Sequence, residues 1–203
     1  MHKVFCFEPQ GYFGSNTYLI ECDGEFAIVD PSVEYLSVLR EHPEIKGRVK
    51  YILLTHAHFD HILKINTWTC ENAGVYVGNL DSAALSDPYL NCYLGFFGIE
   101  DGYSGDTFKV STGDTLKLGN ETVTVIECPG HTPGGVGYLI ENSLFIGDTL
   151  FANGGYGRCD LPGGDMHALA DTIGKLFASP IDYTLYCGHG ESTTLFETKK
   201  YFS

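Results

Sequence analysis

The segment Thr55-His56-Ala57-His58-Phe59-Asp60-His61 brings three imidazoles and a carboxylate into six consecutive positions, 56 to 61. Mixed nitrogen and carboxylate donors are the ligand set of a divalent cation, and this mixture suits Zn, Fe or Mn. His56 and His58 are two residues apart, so on extended backbone both side chains point to one side and can share one ion. Asp60 and His61 follow where the chain should turn into a helix, which redirects them toward a second ion beside the first.

Three further donors stand in turn-rich surroundings after strand-like runs. His131 lies in Pro129-Gly130-His131-Thr132-Pro133-Gly134, a stiff loop of the kind a metal site needs. Asp148 ends Phe145-Ile146-Gly147-Asp148 and is the natural bridging carboxylate, and His189 sits in Gly188-His189-Gly190. The expected assignment is His56, His58, His131 and Asp148 on one ion, and Asp60, His61, His189 and Asp148 on the other. A lone histidine is usually an ordinary polar residue; it is the combination that argues for chemistry. His2, His42 and His167 fall outside every cluster and receive no role. Cys128 and Cys187 border the metal loops but have no histidine free to activate them, so they read as packing residues. Arg158 could meet an anionic substrate, and the sequence favours its bracing a Gly-rich loop by pairing with Asp160 or Asp165.

Those donors need strands that end together. Strand-type runs cover Val4 to Phe7, Thr17 to Glu21, Phe26 to Val29 and Val49 to Leu54, with Asp23-Gly24 as a hairpin turn. Further runs cover Val75 to Val77, Thr122 to Glu127, Gly137 to Ile140, Leu144 to Ile146 and Thr184 to Cys187. Helices are expected at Val33 to Arg40 with Ser32 as N-cap, at Ile62 to Cys70, at Asp81 to Leu85, and at Met166 to Phe177 with Asp165 as N-cap. The order of strands and helices appears twice, which predicts an α/β (α+β) architecture of two sheets packed together with helices outside. Between the halves, residues 87–105 carry Tyr89, Tyr93, Phe96, Phe97 and Tyr103 among four glycines. This segment reads as an aromatic insertion on the surface, either a lid or a contact between copies of the chain in a homo-oligomer.

At 203 residues the chain suits one domain, with 43% hydrophobic and 19% charged residues. Its net charge of -14 makes a phosphate backbone a poor partner. Seven cysteines with no C-x-x-C pair suit reduced thiols. No apolar run approaches a membrane span, so a cytoplasmic protein with neither membrane nor nucleic acid as partner is the expectation.

The motifs resemble those of metallo-β-lactamase-fold proteins, and within them the glyoxalase II-like (hydroxyacylglutathione hydrolase-like) subgroup. The resemblance runs through Ser15-Asn16-Thr17-Tyr18-Leu19-Ile20, Asp30-Pro31, Thr55 to His61, Pro129 to Gly134, Gly147 to Phe151, Gly157 to Asp165 and Gly188 to Gly190. It implies an αββα sandwich of two mixed sheets flanked by helices, and it carries ligand roles onto His56, His58, Asp60, His61, His131, Asp148 and His189. It also implies two divalent ions, zinc first and Fe or Mn as alternatives, that activate a water to cleave a thioester or related ester, with Asp60 orienting that water. Glyoxalase II enzymes continue into a helical region that helps hold glutathione, whereas 14 residues follow His189 here. The acyl group is therefore expected to matter more than a glutathione moiety. The competing resemblance is to mononuclear iron persulfide dioxygenases, which share T-H-x-H-x-D-H and a G-R-x-D stretch; lactonase and nuclease readings of the same fold come after it.

Overall fold

The computed structural model describes residues 1–9 and 11–202. Six strands in chain order form the first sheet: β1 (Lys3–Phe7), β2 (Thr17–Cys22), β3 (Glu25–Val29), β4 (Val49–Leu53), β5 (Gly74–Gly78) and β6 (Phe108–Val110). Six more form the second, in the order β12-β11-β10-β9-β8-β7: β7 (Thr115–Leu118), β8 (Glu121–Glu127), β9 (Val136–Ile140), β10 (Ser143–Gly147), β11 (Thr184–Cys187) and β12 (Thr193–Thr194). Both sheets are mixed. β1 to β3 are antiparallel and β3 to β6 parallel, while in the second sheet β10 and β11 form the parallel pair. The β2–β3 hairpin closes through Asp23 and Gly24 at φ 49° and 76°, the left-handed pair that a two-residue turn requires.

Strand alternation makes three layers of core. In β2, β3 and β4, Tyr18, Ile20, Ala27, Val29 and Leu53 point between the sheets against Val123, Val125, Tyr138 and Phe145. Their neighbours Leu19, Phe26, Ile28 and Ile52 point outward under α1 (Tyr35–Glu41) and Trp68. The far face of the second sheet meets α4 (Met166–Phe177) and α5 (Leu195–Lys199) through Leu144, Leu169, Ile173, Leu185 and Leu195. Strands buried on both faces read as continuous apolar runs, which is why the central strands are legible. Among the described residues no helix is long and apolar enough to cross a membrane.

Several expectations need correction. The first helix starts at Tyr35, with Glu34 at the cap position making no side-chain cap bond. Ser32 is diverted: its Oγ accepts from Ser15 N at 3.1 Å. The helix expected over Ile62 to Cys70 is one turn, α2 (Phe59–Ile62), followed by 3-10 turns. Thr67 and Thr69 donate their hydroxyls back to Lys64 O and Asn66 O, the local competition that shortens helices. Asp81 to Leu85 is likewise two 3-10 turns around Asn79–Asp81 and Ala84–Ser86. Residues 87–105 hold a short helix, α3 (Tyr93–Phe97), and contribute Cys92, Tyr93 and Tyr103 to the first core, so that segment is not wholly a surface element. The unforeseen β6 and β7 are edge strands with exposed Lys109 and Lys117, whose polar faces hide the strand signal.

α4 begins as expected. The Asp165 carboxylate accepts from His167 N at 2.8 Å and Ala168 N at 3.2 Å, and Asp165 N donates to Gly130 O at 2.7 Å. Asp165→Ala should lower unfolding stability by about 1 kcal/mol in chemical denaturation, while Asp165→Asn, also a good cap, should lose much less. Equal losses would show that the cap bonds contribute little.

Candidate metal centre

The chain leaves β3, β4, β10 and β11, and turns between β8 and β9, at one edge of the sandwich, and all seven expected donors meet there. They form two groups whose ligand atoms lie within 4.8 Å of one another: His56, His58 and His131, all buried, and Asp60, His61, Asp148 and His189. In the first, His58 Nδ1 and His131 Nε2 are 2.9 Å apart. In the second, His189 Nε2 lies 3.2 Å from Asp60 Oδ2 and 3.4 Å from Asp148 Oδ2, and His61 Nε2 lies 3.3 Å from Asp148 Oδ1. Asp148 belongs to the second group and reaches to 3.7 Å from His131 of the first, the place of a bridging carboxylate.

Four of the seven donor residues fit cations because each holds a buried polar atom with no hydrogen-bond partner. His56 Nε2, His58 Nε2, His61 Nε2 and Asp148 Oδ1 are buried without a hydrogen bond. Each such atom costs about 1–3 kcal/mol unless something accepts its lone pair. The two groups differ electrostatically. Burial pushes His56 well below the ordinary imidazole value and His58 down to about 3, so both are neutral donors. In the second group burial opposes charge, but the carboxylates of Asp30, Asp60 and Asp148 outweigh it and hold His61 well above its usual value. His189 is likewise raised to about 9 despite burial, chiefly by its bonds to Asp148 and Asp60. The second group is thus the one where the carboxylates favour positive charge.

Buried polar side chains hold the ligand loops. Asp30, at φ 49°, accepts from Thr55 N at 2.8 Å, Thr55 Oγ1 at 2.7 Å and His61 Nδ1 at 2.8 Å, which leaves His61 Nε2 to face the site. His131 Nδ1 similarly donates to Arg158 O at 2.7 Å. Asp81 joins two ligand loops: it accepts from Ala57 N at 3.3 Å, between His56 and His58, and from Thr132 Oγ1 and Gly134 N at 2.7 Å each, beside His131. Asn16 Nδ2 donates to Cys187 O at 3.1 Å and Gly190 O at 2.8 Å, which fixes the His189 turn. Gly188 has no room for a side chain, since a Cβ there would stand 2.1 Å from Asp148 Oδ1. From sequence alone Asn16 and Asp30 carry no role of their own, and Asp81 is expected in a helix. The available signal was position, since Asp30 directly follows a strand and Asp81 comes three residues after one, at the edge where Asp148 also emerges.

Cys128 and Cys187 are buried and burial pushes both thiols up to about 12, as suits packing residues. Arg158 pairs with Asp160, Nε and Nη2 each donating at 2.6 Å, and so braces the loop.

Residues 11–189 match the family described as the Metallo-beta-lactamase superfamily. The chain belongs to that superfamily. Hydroxyacylglutathione hydrolase GloC of Haemophilus influenzae is 32% identical, over 95% of this chain and 93% of its own length. Among solved structures, the BLEG-1 B3 metallo-beta-lactamase superposes with a TM-score of 0.86 at 31% identity, covering 98% of this chain and 97% of that one. TTHA1623 in a di-iron-bound form gives a TM-score of 0.79 at 29% identity, covering 95% and 96%. The two mixed sheets flanked by helices are thus the metallo-beta-lactamase fold, and the His/Asp cluster is its dinuclear metal site.

As a metallo-beta-lactamase superfamily protein with two ligand groups, the chain should bind close to two equivalents of metal by elemental analysis. Asp60→Ala and His189→Ala should each reduce this to about one; retention of two by both would dissolve the second group. Asp81→Ala should weaken binding at the first group by about 10–100-fold in chelator competition, because both its loops lose an anchor, and Asp81→Asn should fall between.

Proposed function

We propose that the chain hydrolyses thioesters or related esters with two divalent ions, zinc foremost, and that Asp60 is its catalytic carboxylate. The observation that carries this reading is the completeness of the second ligand group at the floor of a cavity of about 510 Å³. Ions held there supply a water ionised near neutral pH and positive charge to polarise a carbonyl.

The chain's own residues do the rest. Asp60 is 17% exposed at its side chain, enough to reach into the cavity, and its backbone oxygen is held by Ser15 N at 3.3 Å and Ser15 Oγ at 3.2 Å. From there it accepts a hydrogen bond from the attacking water and aims the oxygen at the acyl carbon. The C–O bond forms, the C–S bond breaks, and the proton released ends on the departing thiol. His131 and His61 stay fixed through their Nδ1 bonds to Arg158 O and Asp30, so the site reorganises little during reaction. The hydroxyacylglutathione hydrolase name of a full-length relative supports the thioester. A persulfide dioxygenase needs one iron, and the complete second group argues against it.

The test is a screen of metal-loaded protein against acyl thioesters, lactones and β-lactams, with oxygen uptake followed on a persulfide. Thioesters should lead by at least about tenfold in kcat/KM, and Asp60→Asn should lower kcat by about 100-fold or more with KM little changed. Oxygen uptake with persulfide exceeding all hydrolysis would overturn the reading.

A further inference from the structure

The cavity wall opposite the ligands is aromatic, and it is built largely by segments that carry no ligand. Phe59 stands between His58 and Asp60 and is buried. Against it lie Phe96 at a ring-centroid distance of 5.0 Å and Phe97 at 5.1 Å, both from α3, and Phe13 meets Phe97 at 5.2 Å. The backbone couples this wall to the site, since Phe59 N donates to Asn91 O at 2.8 Å. Phe13 and Phe96 line the cavity yet remain 53% and 44% exposed, so they keep apolar area that a ligand could cover. Cys92 beside them is a neutral thiol, raised to about 11 by burial and then by Asp60.

The charges around the mouth point the same way. Arg158 is the one Lys or Arg among the described residues lining the cavity, and both carboxylate oxygens of Asp160 already take its guanidinium. An anionic substituent would have to share that guanidinium with Asp160, against a chain of net charge -14.

We propose that this wall receives an uncharged, apolar acyl group, so that the substrates are aliphatic or aryl acyl thioesters and not those whose acyl group ends in a carboxylate. The proposal rests on the thioester reading above and names the substrate class within it. Each methylene fully buried is worth about fourfold in binding, so a six-carbon chain on a half-open wall should gain at least about tenfold over acetyl.

Acetyl, hexanoyl and adipoyl thioesters of N-acetylcysteamine test this, adipoyl being the hexanoyl chain length with a terminal carboxylate. On the metal-loaded protein kcat/KM should favour hexanoyl by at least about tenfold over both others. The hexanoyl-to-acetyl ratio should fall to within about threefold in Phe13→Ala/Phe96→Ala and survive in Phe96→Leu. Calorimetric binding of hexanoate, acetate and adipate should follow the same order without turnover. If no thioester is cleaved, the functional reading fails and the acid series alone decides the wall's preference. Adipoyl or adipate matching hexanoyl or hexanoate, or a ratio unmoved by the double substitution, would overturn the proposal.

Discussion

The Asp30 carboxylate accepts three hydrogen bonds from two elements, and the ligand geometry depends on it. It closes the end of β3 onto Thr55 at the end of β4 and onto His61 in α2. Thr55 in turn passes the constraint to the second sheet: its carbonyl accepts from Val136 N at 2.8 Å, and a Cβ on Gly147 would stand 2.3 Å from its hydroxyl. The floor of the site is therefore one hydrogen-bonded unit spanning both sheets. Without Asp30, two buried donors would lose their partner and His61 its orientation, so fold and metal geometry rest on one side chain.

Asp81 and Asn16 repeat the device at the other ligand loops, and the repetition follows from where the ligands are. Loops leaving strand ends have few neighbours to stiffen them, yet ligand atoms must be held within a fraction of an ångström. A buried acceptor or amide that bonds to backbone gives that stiffness at each point. The scheme also explains why the two ligand groups differ in charge. Asp30 and the two ligand carboxylates collect around His61 and His189 and outweigh burial there, whereas His56 and His58, no more buried than His61, lack that carboxylate cluster and burial keeps them neutral.

The sequence made the ligands and the central strands legible for different physical reasons. The spacing of His56, His58, Asp60 and His61 encodes chemistry directly, and β2, β3 and β4 are continuous apolar runs because both their faces are covered. The edge strands β6 and β7 escaped because half their residues face water. The helix after His61 failed because Thr67 and Thr69 bond locally, information that periodicity does not carry. Asp30, Asp81 and Asn16 escaped as positioning residues because an isolated Asp or Asn after a strand reads as a turn; their partners lie 24 to 174 positions away. The separation between Asp30 and Thr55 is 25 positions and that between Asn16 and Gly190 is 174.

The aromatic wall and the ligand shell are built on separate constraints. On the ligand side, Gly157 and Gly188 leave no space for added side chains, because a Cβ at Gly157 would stand 2.6 Å from His131 Nδ1 and one at Gly188 2.1 Å from Asp148. Variation there would displace ligands. Phe13 and Phe96 stand on segments that contribute no donor and face the cavity with partly exposed rings, so changing them alters the cavity wall without touching a ligand residue. Phe59 is the exception, since it lies inside the ligand motif and touches α3. Through it the ligand motif sets where the wall stands, while Phe13 and Phe96 are the rings the proposed selectivity rests on.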